Sequence, residues 1–237
     1  MIDFHSHILP DMDDGSDSVE TSLEMLRVSR KQGVTLLCAT SHFYADEEDP
    51  ASFLARRTEA WRALRDAMEP GEEYPAVLLG AEILFFPGIS VSEEIRSLTL
   101  ERTPFLLVEP PMMTWSEDML EEIDECGRSL HCIPVIAHVD RYMRMLNDDS
   151  LLERAARRRV LIQFNAGAFL RSGFREKALA FLQGGKIHFL GSDCHDTVRR
   201  RPNLGDAYDV IASSDGGEMS RLFQQREARA LAKALQR

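Results

Sequence analysis

Met1-Ile2-Asp3-Phe4-His5-Ser6-His7 opens the chain as a short apolar run that ends on two histidines one residue apart. Met1–Phe4 reads as a strand, and His5 and His7 lie just beyond its end. The same grammar recurs down the sequence. Thr35–Ala39, Val77–Ala81, Phe105–Val108, Ile133–Ala137, Val160–Phe164 and Ile187–Leu190 are further short apolar strand candidates. Between them lie amphipathic stretches with helical spacing: Val19–Gln32, Pro50–Met68, Ser116–Leu130, Ser150–Arg158 and Phe174–Gln183. In the first, Val19, Leu23, Leu26 and Arg30 share a face, and Gly33 comes next as a C-terminal stop. Ser116-Glu117-Asp118 puts a cap and two acids in a first turn, where the helix dipole favours negative charge. From Asn203 onward two more helices are expected, broken near Ser213–Gly217. Such strand–helix alternation implies a parallel α/β sheet, either doubly wound or closed into a barrel.

Length and composition agree. A chain of 237 residues with 44% hydrophobic and 28% charged residues can bury a sizeable core. Barrel-type α/β domains reach this length as one unit, and no linker or repeat interrupts the pattern, so a single domain over 1–237 is expected. The formal charge of −11 disfavours sequence-independent nucleic-acid binding and attraction to anionic lipid. Cys38, Cys126, Cys132 and Cys194 form no CxxC pair, no signal peptide opens the chain, and no apolar run approaches the roughly 20 residues that span a bilayer. The expectation is a cytoplasmic protein with reduced thiols and no membrane insertion.

The functional information sits at the ends of the strand candidates. The seven ends lead into His5-Ser6-His7, Thr40-Ser41-His42, Glu82, Glu109, His138, Asn165 and Asp193-Cys194-His195. Parallel α/β folds bring all those ends to one face. Neutral imidazole and carboxylate are ligands of zinc, manganese and iron, so the convergence reads as a metal site. One such residue is commonly a solvated loop side chain; six strand ends together are not. Residues spaced i, i+2 point the same way from a pleat, so His5/His7 and Asp193/His195 can each grip one region. His131 and His188 lie away from strand ends and are read as ordinary structural histidines. Asp11-Met12-Asp13-Asp14-Gly15 is by itself a turn, able to lend a further carboxylate to a site nearby.

Taken together, His5-Ser6-His7, Asp14-Gly15, Ser41-His42, Glu82, Glu109, Ala137-His138-Val139-Asp140-Arg141-Tyr142 and Gly191-Ser192-Asp193-Cys194-His195-Asp196 resemble the polymerase-and-histidinol-phosphatase (PHP) superfamily. The opening Met1–Ile8 with Asp13-Asp14-Gly15 is most like its bacterial manganese-dependent protein tyrosine phosphatases of capsule and exopolysaccharide operons. The resemblance spans Met1 to about Pro202. It implies a distorted (β/α)7 barrel with up to three divalent metals, manganese by preference, with iron, zinc or magnesium as alternatives. It further implies that His5, His7 and Asp193 hold one metal and that Glu109 bridges to a second. Asp14, His42, Glu82, His138 and His195 would complete the set. The family also grips phosphate with arginines: Arg141 matches one. The second falls in Arg199-Arg200-Arg201-Pro202, where Arg200 keeps the distance from His195 and Arg201 keeps the Arg-Pro pair. The implied substrate is phosphotyrosine in a protein, on the tail of a tyrosine kinase of polysaccharide synthesis.

The chemistry is consistent. Clustered divalent metals lower the pKa of water toward about 7, giving hydroxide as nucleophile, and clamp the transferred group. Arginine offers a planar fork that fits phosphate oxygens. Asp196 or Asp206 could assist a leaving group, although solvated roles fit them too. Three other readings compete. Cys194 and Arg200 have the C-x5-R spacing of cysteine-dependent tyrosine phosphatases, but the residues between them contain no glycine to curl around phosphate, and Asp193 opposes a thiolate. The same fold could instead serve a small ester such as histidinol phosphate. A non-catalytic metal-binding module is the third reading, and it gives Arg141 no purpose.

Overall fold

Every strand pairing among the described residues is parallel. The computed structural model describes Met1–Gln236 and contains β1 (Ile2–Ser6), β2 (Leu36–Ala39), β3 (His42–Phe43), β4 (Ala76–Leu79), β5 (Glu82–Leu84), β6 (Phe105–Glu109), β7 (Ile133–Ile136), β8 (Leu161–Asn165) and β9 (Phe189–Gly191). They are arranged as β1-β2-β4 and β3-β5-β6-β7-β8-β9. The two groups are one curled sheet, because β3 prolongs β2 past Thr40-Ser41 and β5 prolongs β4 past Gly80-Ala81. At these bends the Gly80 amide donates to Ala39 O (2.8 Å) and the Glu82 amide to Ser41 O (2.9 Å), so backbone pairing is handed across. Thr35–Ala39 and Val77–Ala81, expected as simple strands, are thus the lower halves of bent ones. A parallel bridge between Ser6 and Cys194 joins the last strand to the first, with the His7 amide on Cys194 O (2.9 Å) and the Asp193 amide on His5 O (2.8 Å). The result is a distorted (β/α)7 barrel.

The helices among the described residues are α1 (Val19–Lys31), α2 (Pro50–Asp66), α3 (Glu117–Ser129), α4 (Val139–Met145), α5 (Ser150–Ala156), α6 (Gly167–Leu170), α7 (Arg175–Gln183), α8 (Leu204–Asp215) and α9 (Glu218–Leu235). Ser18, Asp49 and Ser116 cap α1, α2 and α3 by accepting from an amide three residues on, and Pro50 occupies the first turn of α2. The sequence pattern does not predict α4 and α6, since seven and four residues are too few to display a 3.6-residue period. The break between α8 and α9 falls at Gly216 and Gly217, both left-handed. No helix among the described residues is long and apolar enough to cross a membrane.

Side-chain alternation sorts the barrel interior into two levels. Low in the barrel, Phe4 stacks on Phe189 (centroids 3.9 Å apart) and meets Phe105 edge-on at 5.7 Å. Cys38, Leu107, Val135 and Ala137 pack around them, and Leu231 and Ala234 of α9 join from below. Two residues further along two of these strands the interior becomes polar, with Glu109 above Leu107 and Gln163 above Leu161, and Asp193 joins this level from a left-handed turn just past β9. The site therefore rests on an apolar floor.

Candidate metal centre

β1 breaks its alternation to reach the site. Asp3 pairs with Leu37 but Ser6 pairs with Ala39, so β1 carries one extra residue there. This bulge lets Phe4 face the floor while His5 and His7 also face inward above it. The amide of His5 then donates to Asp3 Oδ1 (3.3 Å), which also accepts from the Ser192 amide (2.8 Å). Gly191 makes room, since a Cβ on it would come within 2.5 Å of the His5 Cβ.

Glu82, fully buried, is the hub. Its Oε2 lies 3.1 Å from His5 Nε2, 3.2 Å from His7 Nε2 and 3.2 Å from His42 Nδ1, while Oε1 lies 2.8 Å from His138 Nε2. Glu109 stands beside it, 3.3 Å from His138 Nε2 and 3.6 Å from His42 Nδ1. Across the mouth, Asp193 Oδ1 lies 3.5 Å from His7 Nε2 and 3.8 Å from His5 Nε2. Asp14 reaches His195 at 3.2 Å and His42 at 3.6 Å. Three overlapping groups result, each with its donor atoms within 4.8 Å of one another: His5/His7/Asp193, His42/Glu82/Glu109 and His7/Asp14/His42/His195. All nine residues expected as ligands thus meet in one place. The geometry differs from the expectation in one respect: Glu82, and not Glu109, is the carboxylate that lies against both His5 and His7.

Their surroundings fit metal binding. Glu82 Oε2, His42 Nδ1 and His195 Nε2 are buried atoms without a hydrogen bond. Burial, and after it the charge of His7, pushes His195 down to about 3, leaving a neutral ring with a free lone pair. Burial opposes a charge on His7 as well, but Asp13 and Glu82 outweigh it and push its pKa up to about 10. These carboxylates call for positive charge among them, which divalent cations supply. The fixed tautomers agree too. His7 Nδ1–H donates to Asp13 Oδ2 (2.7 Å), His5 Nδ1–H to Gln163 Oε1 (3.3 Å) and His195 Nδ1–H to Asp193 O (3.0 Å), so each Nε2 faces the centre, and at His7 a cation would take the place of the Nε2 proton. Sequence reasoning misses Asp13 and Gln163 as supporting residues. Asp13's only signal is adjacency to Asp14, which says nothing of direction, and Gln163, between Ile162 and Phe164, has none.

Arg141 and Arg200 converge on Asp193 from outside. Arg141 Nη2 is hydrogen-bonded to Oδ2, and Arg200 Nη2 lies 2.8 Å from Oδ1. Arg201 turns away and pairs with Asp206 at 2.8 Å. Asp196 spends Oδ1 on the amides of Val198, Arg199 and Arg200 and so builds this loop. Cys194 is fully buried, and burial, with Asp3 and Asp193, holds its thiol far above the ordinary range. It is no thiolate nucleophile. His188 lies elsewhere, its Nδ1 accepting from the Ile162 amide (3.0 Å).

A family model for capsular polysaccharide synthesis proteins, CpsB/CapC, matches residues 1–232. The chain belongs to the CpsB/CapC family. It is 28% identical over 228 residues to the tyrosine-protein phosphatase CpsB of Streptococcus agalactiae, covering 92% of each chain. It is 29% identical over 230 residues to the tyrosine-protein phosphatase YwqE of Bacillus subtilis, covering 92% of this chain and 87% of that one. It is also similar to a crystal structure from work on YwqE from Bacillus subtilis and CpsB from Streptococcus pneumoniae, described as unique metal-dependent tyrosine phosphatases. The TM-score is 0.83 at 26% identity, over 100% of this chain and 94% of the other. As a CpsB/CapC member, this chain carries the His/carboxylate cluster and the Arg141/Arg200 pair at the strand ends of its barrel.

Proposed function

We propose that this chain is a metal-dependent protein tyrosine phosphatase that hydrolyses phosphotyrosine, with manganese as its metal. The observation that carries this reading is the pair of guanidinium groups, from Arg141 and Arg200, on the carboxylate that completes the His5/His7 group. His5, His7 and Asp193 would hold one cation, His42, Glu82 and Glu109 a second, and Asp14, His42 and His195 a third, with His138 beside Glu82 and Glu109. Bound divalent cations would neutralise phosphoryl charge and lower the pKa of water toward about 7, supplying a nucleophile at neutral pH.

The chain's own residues provide the rest. Asp13, Gln163 and the Asp193 carbonyl hold the ring protons of His7, His5 and His195 on the side away from the cluster. Arg141 and Arg200 present N–H donors to a phosphate lying beside Asp193, and their positive charge accumulates where the transferred group is most negative. Phenol has a pKa of about 10, so a tyrosine leaving group departs with less protonation than an alcohol would need. That suits a loop whose Asp196 is already committed to three amides. The substrate proposed is a phosphotyrosine segment of a protein, the tail of a tyrosine kinase of polysaccharide synthesis.

The test is phosphatase activity on a phosphotyrosine peptide and on histidinol phosphate before and after chelation. Chelation should abolish activity, manganese should restore it, and Cys194→Ser should retain most of it. Full activity in metal-free protein, or a higher kcat/KM on histidinol phosphate, would overturn the reading.

A further inference from the structure

A cavity of about 190 Å³ opens beside Asp193, and six arginines line it: Arg141, Arg144, Arg171, Arg199, Arg200 and Arg201. Among the described residues, only Asp140 and Asp193 add carboxylates to its walls. In a chain with 39 acidic and 28 basic residues, this is a local reversal of sign. Four of the arginines already have partners: Arg141 and Arg200 sit on Asp193, Arg201 on Asp206, and Arg144 lies 3.6 Å from Asp140. Arg171 and Arg199 are different. Among the described residues no carboxylate comes within 4 Å of either guanidinium, and the Nε of Arg144 is buried without a hydrogen bond. Like charges gathered this way repel one another, and an anion lying among them offsets that cost.

The basic lining also has a direction. Arg144 and Arg171 are shared with a second cavity, of about 310 Å³, whose other walls include Met143, Phe174 and the Lys177–Asp149 ion pair (2.6 Å). One path therefore leads from the Arg141/Arg200 end, past Arg144 and Arg171, to a partly apolar recess. Another surface groove, beside the start of α2, is lined by Asp49, Glu93 and Glu94 and has the opposite character.

We infer that Arg144, Arg171 and Arg199 form an anion subsite beside the reaction centre, which takes a carboxylate or a second phosphate flanking the phosphotyrosine. The preferred substrate is accordingly a segment with several negative charges, running from Asp193 toward Phe174. This rests on the phosphatase reading and specifies the substrate of the same site. Arg171 and Arg199 are exposed and lie outside the metal cluster, so their role is selection of the flanking residues and not the hydrolytic step.

The experiment uses the manganese-loaded enzyme, its Arg171→Ala/Arg199→Ala variant, and four substrates. These are p-nitrophenyl phosphate, a phosphotyrosine peptide with neutral flanks, one with glutamate flanks, and one with a second phosphotyrosine. Wild type should favour an anionic-flank peptide over the neutral one by roughly tenfold in kcat/KM, as expected for partly exposed charge-assisted contacts. The preference should shrink as salt rises and disappear in the variant, while p-nitrophenyl phosphate and the neutral peptide are unchanged. Which anionic peptide wins identifies the flanking group as carboxylate or phosphate. Equal kcat/KM on neutral and anionic flanks, or a preference that survives in the variant, would overturn the subsite. No hydrolysis of p-nitrophenyl phosphate by wild type would instead overturn the phosphatase reading itself.

Discussion

Adjacent in sequence, Asp13 and Asp14 have opposite surroundings. The Asp14 carboxylate is largely exposed and reaches His42 and His195, whereas that of Asp13 is buried and accepts from His7 Nδ1–H and the His42 amide, both at 2.7 Å. Carboxylates that orient a ligating histidine are worth about 10–100-fold in metal affinity. Asp13→Ala should therefore weaken manganese binding by that order in a chelator-competition titration, although Asp13 touches no cation. Unchanged affinity would show that packing alone orients His7. The arginines differ in the same local way. Arg141→Lys should lose on the order of 10²-fold in kcat/KM at unchanged metal content, because an ammonium cannot reproduce the guanidinium fork. Arg201→Ala, which frees only Asp206, should stay near wild type in the same assay. The sequence leaves Arg200 and Arg201 undecided because both lie within one loop. The Asp196 turn, which draws in the amides of Val198, Arg199 and Arg200, settles which side chain faces Asp193.

Among the elements, β1 and β9 depend most closely on one another. The β1 bulge brings His5 inward against Gly191, whose missing side chain leaves room for the His5 backbone and Cβ. Gly191→Ala would set a methyl 2.5 Å from His5 Cβ and 3.0 Å from its backbone nitrogen. Neither atom can swing aside, so the variant should lose about 1–3 kcal/mol of stability and bind metal more weakly. Chemical denaturation and metal titration together check this; a variant with wild-type values in both would mean that the strands stand further apart. β7 and α4 show a related device. Ala137 belongs to the apolar floor, so alternation would send His138 outward. At His138 the backbone is instead left-handed (φ 31°), and the ring turns into the cluster as α4 begins. A seven-residue helix hidden behind such a residue has no periodic signal, which is why α4 is not legible in the sequence.

For the molecule as a whole, α9 closes the lower end of the barrel, and Glu227 is buried on it. Its Oε1 accepts from the Leu190 amide (2.9 Å) and its Oε2 from the Tyr208 hydroxyl (2.6 Å), tying α9 to β9 and α8. Burial pushes this carboxyl up to about 8. Because the folded protein holds the proton more tightly than the unfolded chain, the contribution is full below the usual carboxylate range and is lost as pH rises toward 8. Glu227→Gln, which keeps a similar shape without titrating, should gain relative stability across that interval, up to about 4 kcal/mol by pH 8. The measurement is the difference in Tm between variant and wild type from about pH 5 to 8.5; a difference independent of pH would refute it.

Much of this architecture is local in origin. Strands and helices alternate because short apolar runs alternate with 3.6-residue periods, and polar residues two positions beyond an inward apolar one must share its face. Hence Leu107 predicts the direction of Glu109, whereas the left-handed backbone at Asp193 (φ 53°) takes Asp193 and His195 out of the pleat that the i, i+2 spacing assumes. Residue type then named the chemistry, since histidine and carboxylate together at strand ends have few other uses. Tertiary structure alone decided the rest. The β1 bulge, the left-handed turn at His138 and the bends after Ala39 and Leu79 each break the two-residue rule, and each is held by hydrogen bonds to distant residues. The six arginines gather because β7, β8 and β9 are neighbours in the sheet, while the place of His5 against Gln163 and of His5 and His7 beside Asp193 depends on closure of the sheet from β9 to β1. No local pattern records it, because closure joins Ser6 to Cys194, at opposite ends of the barrel's sequence.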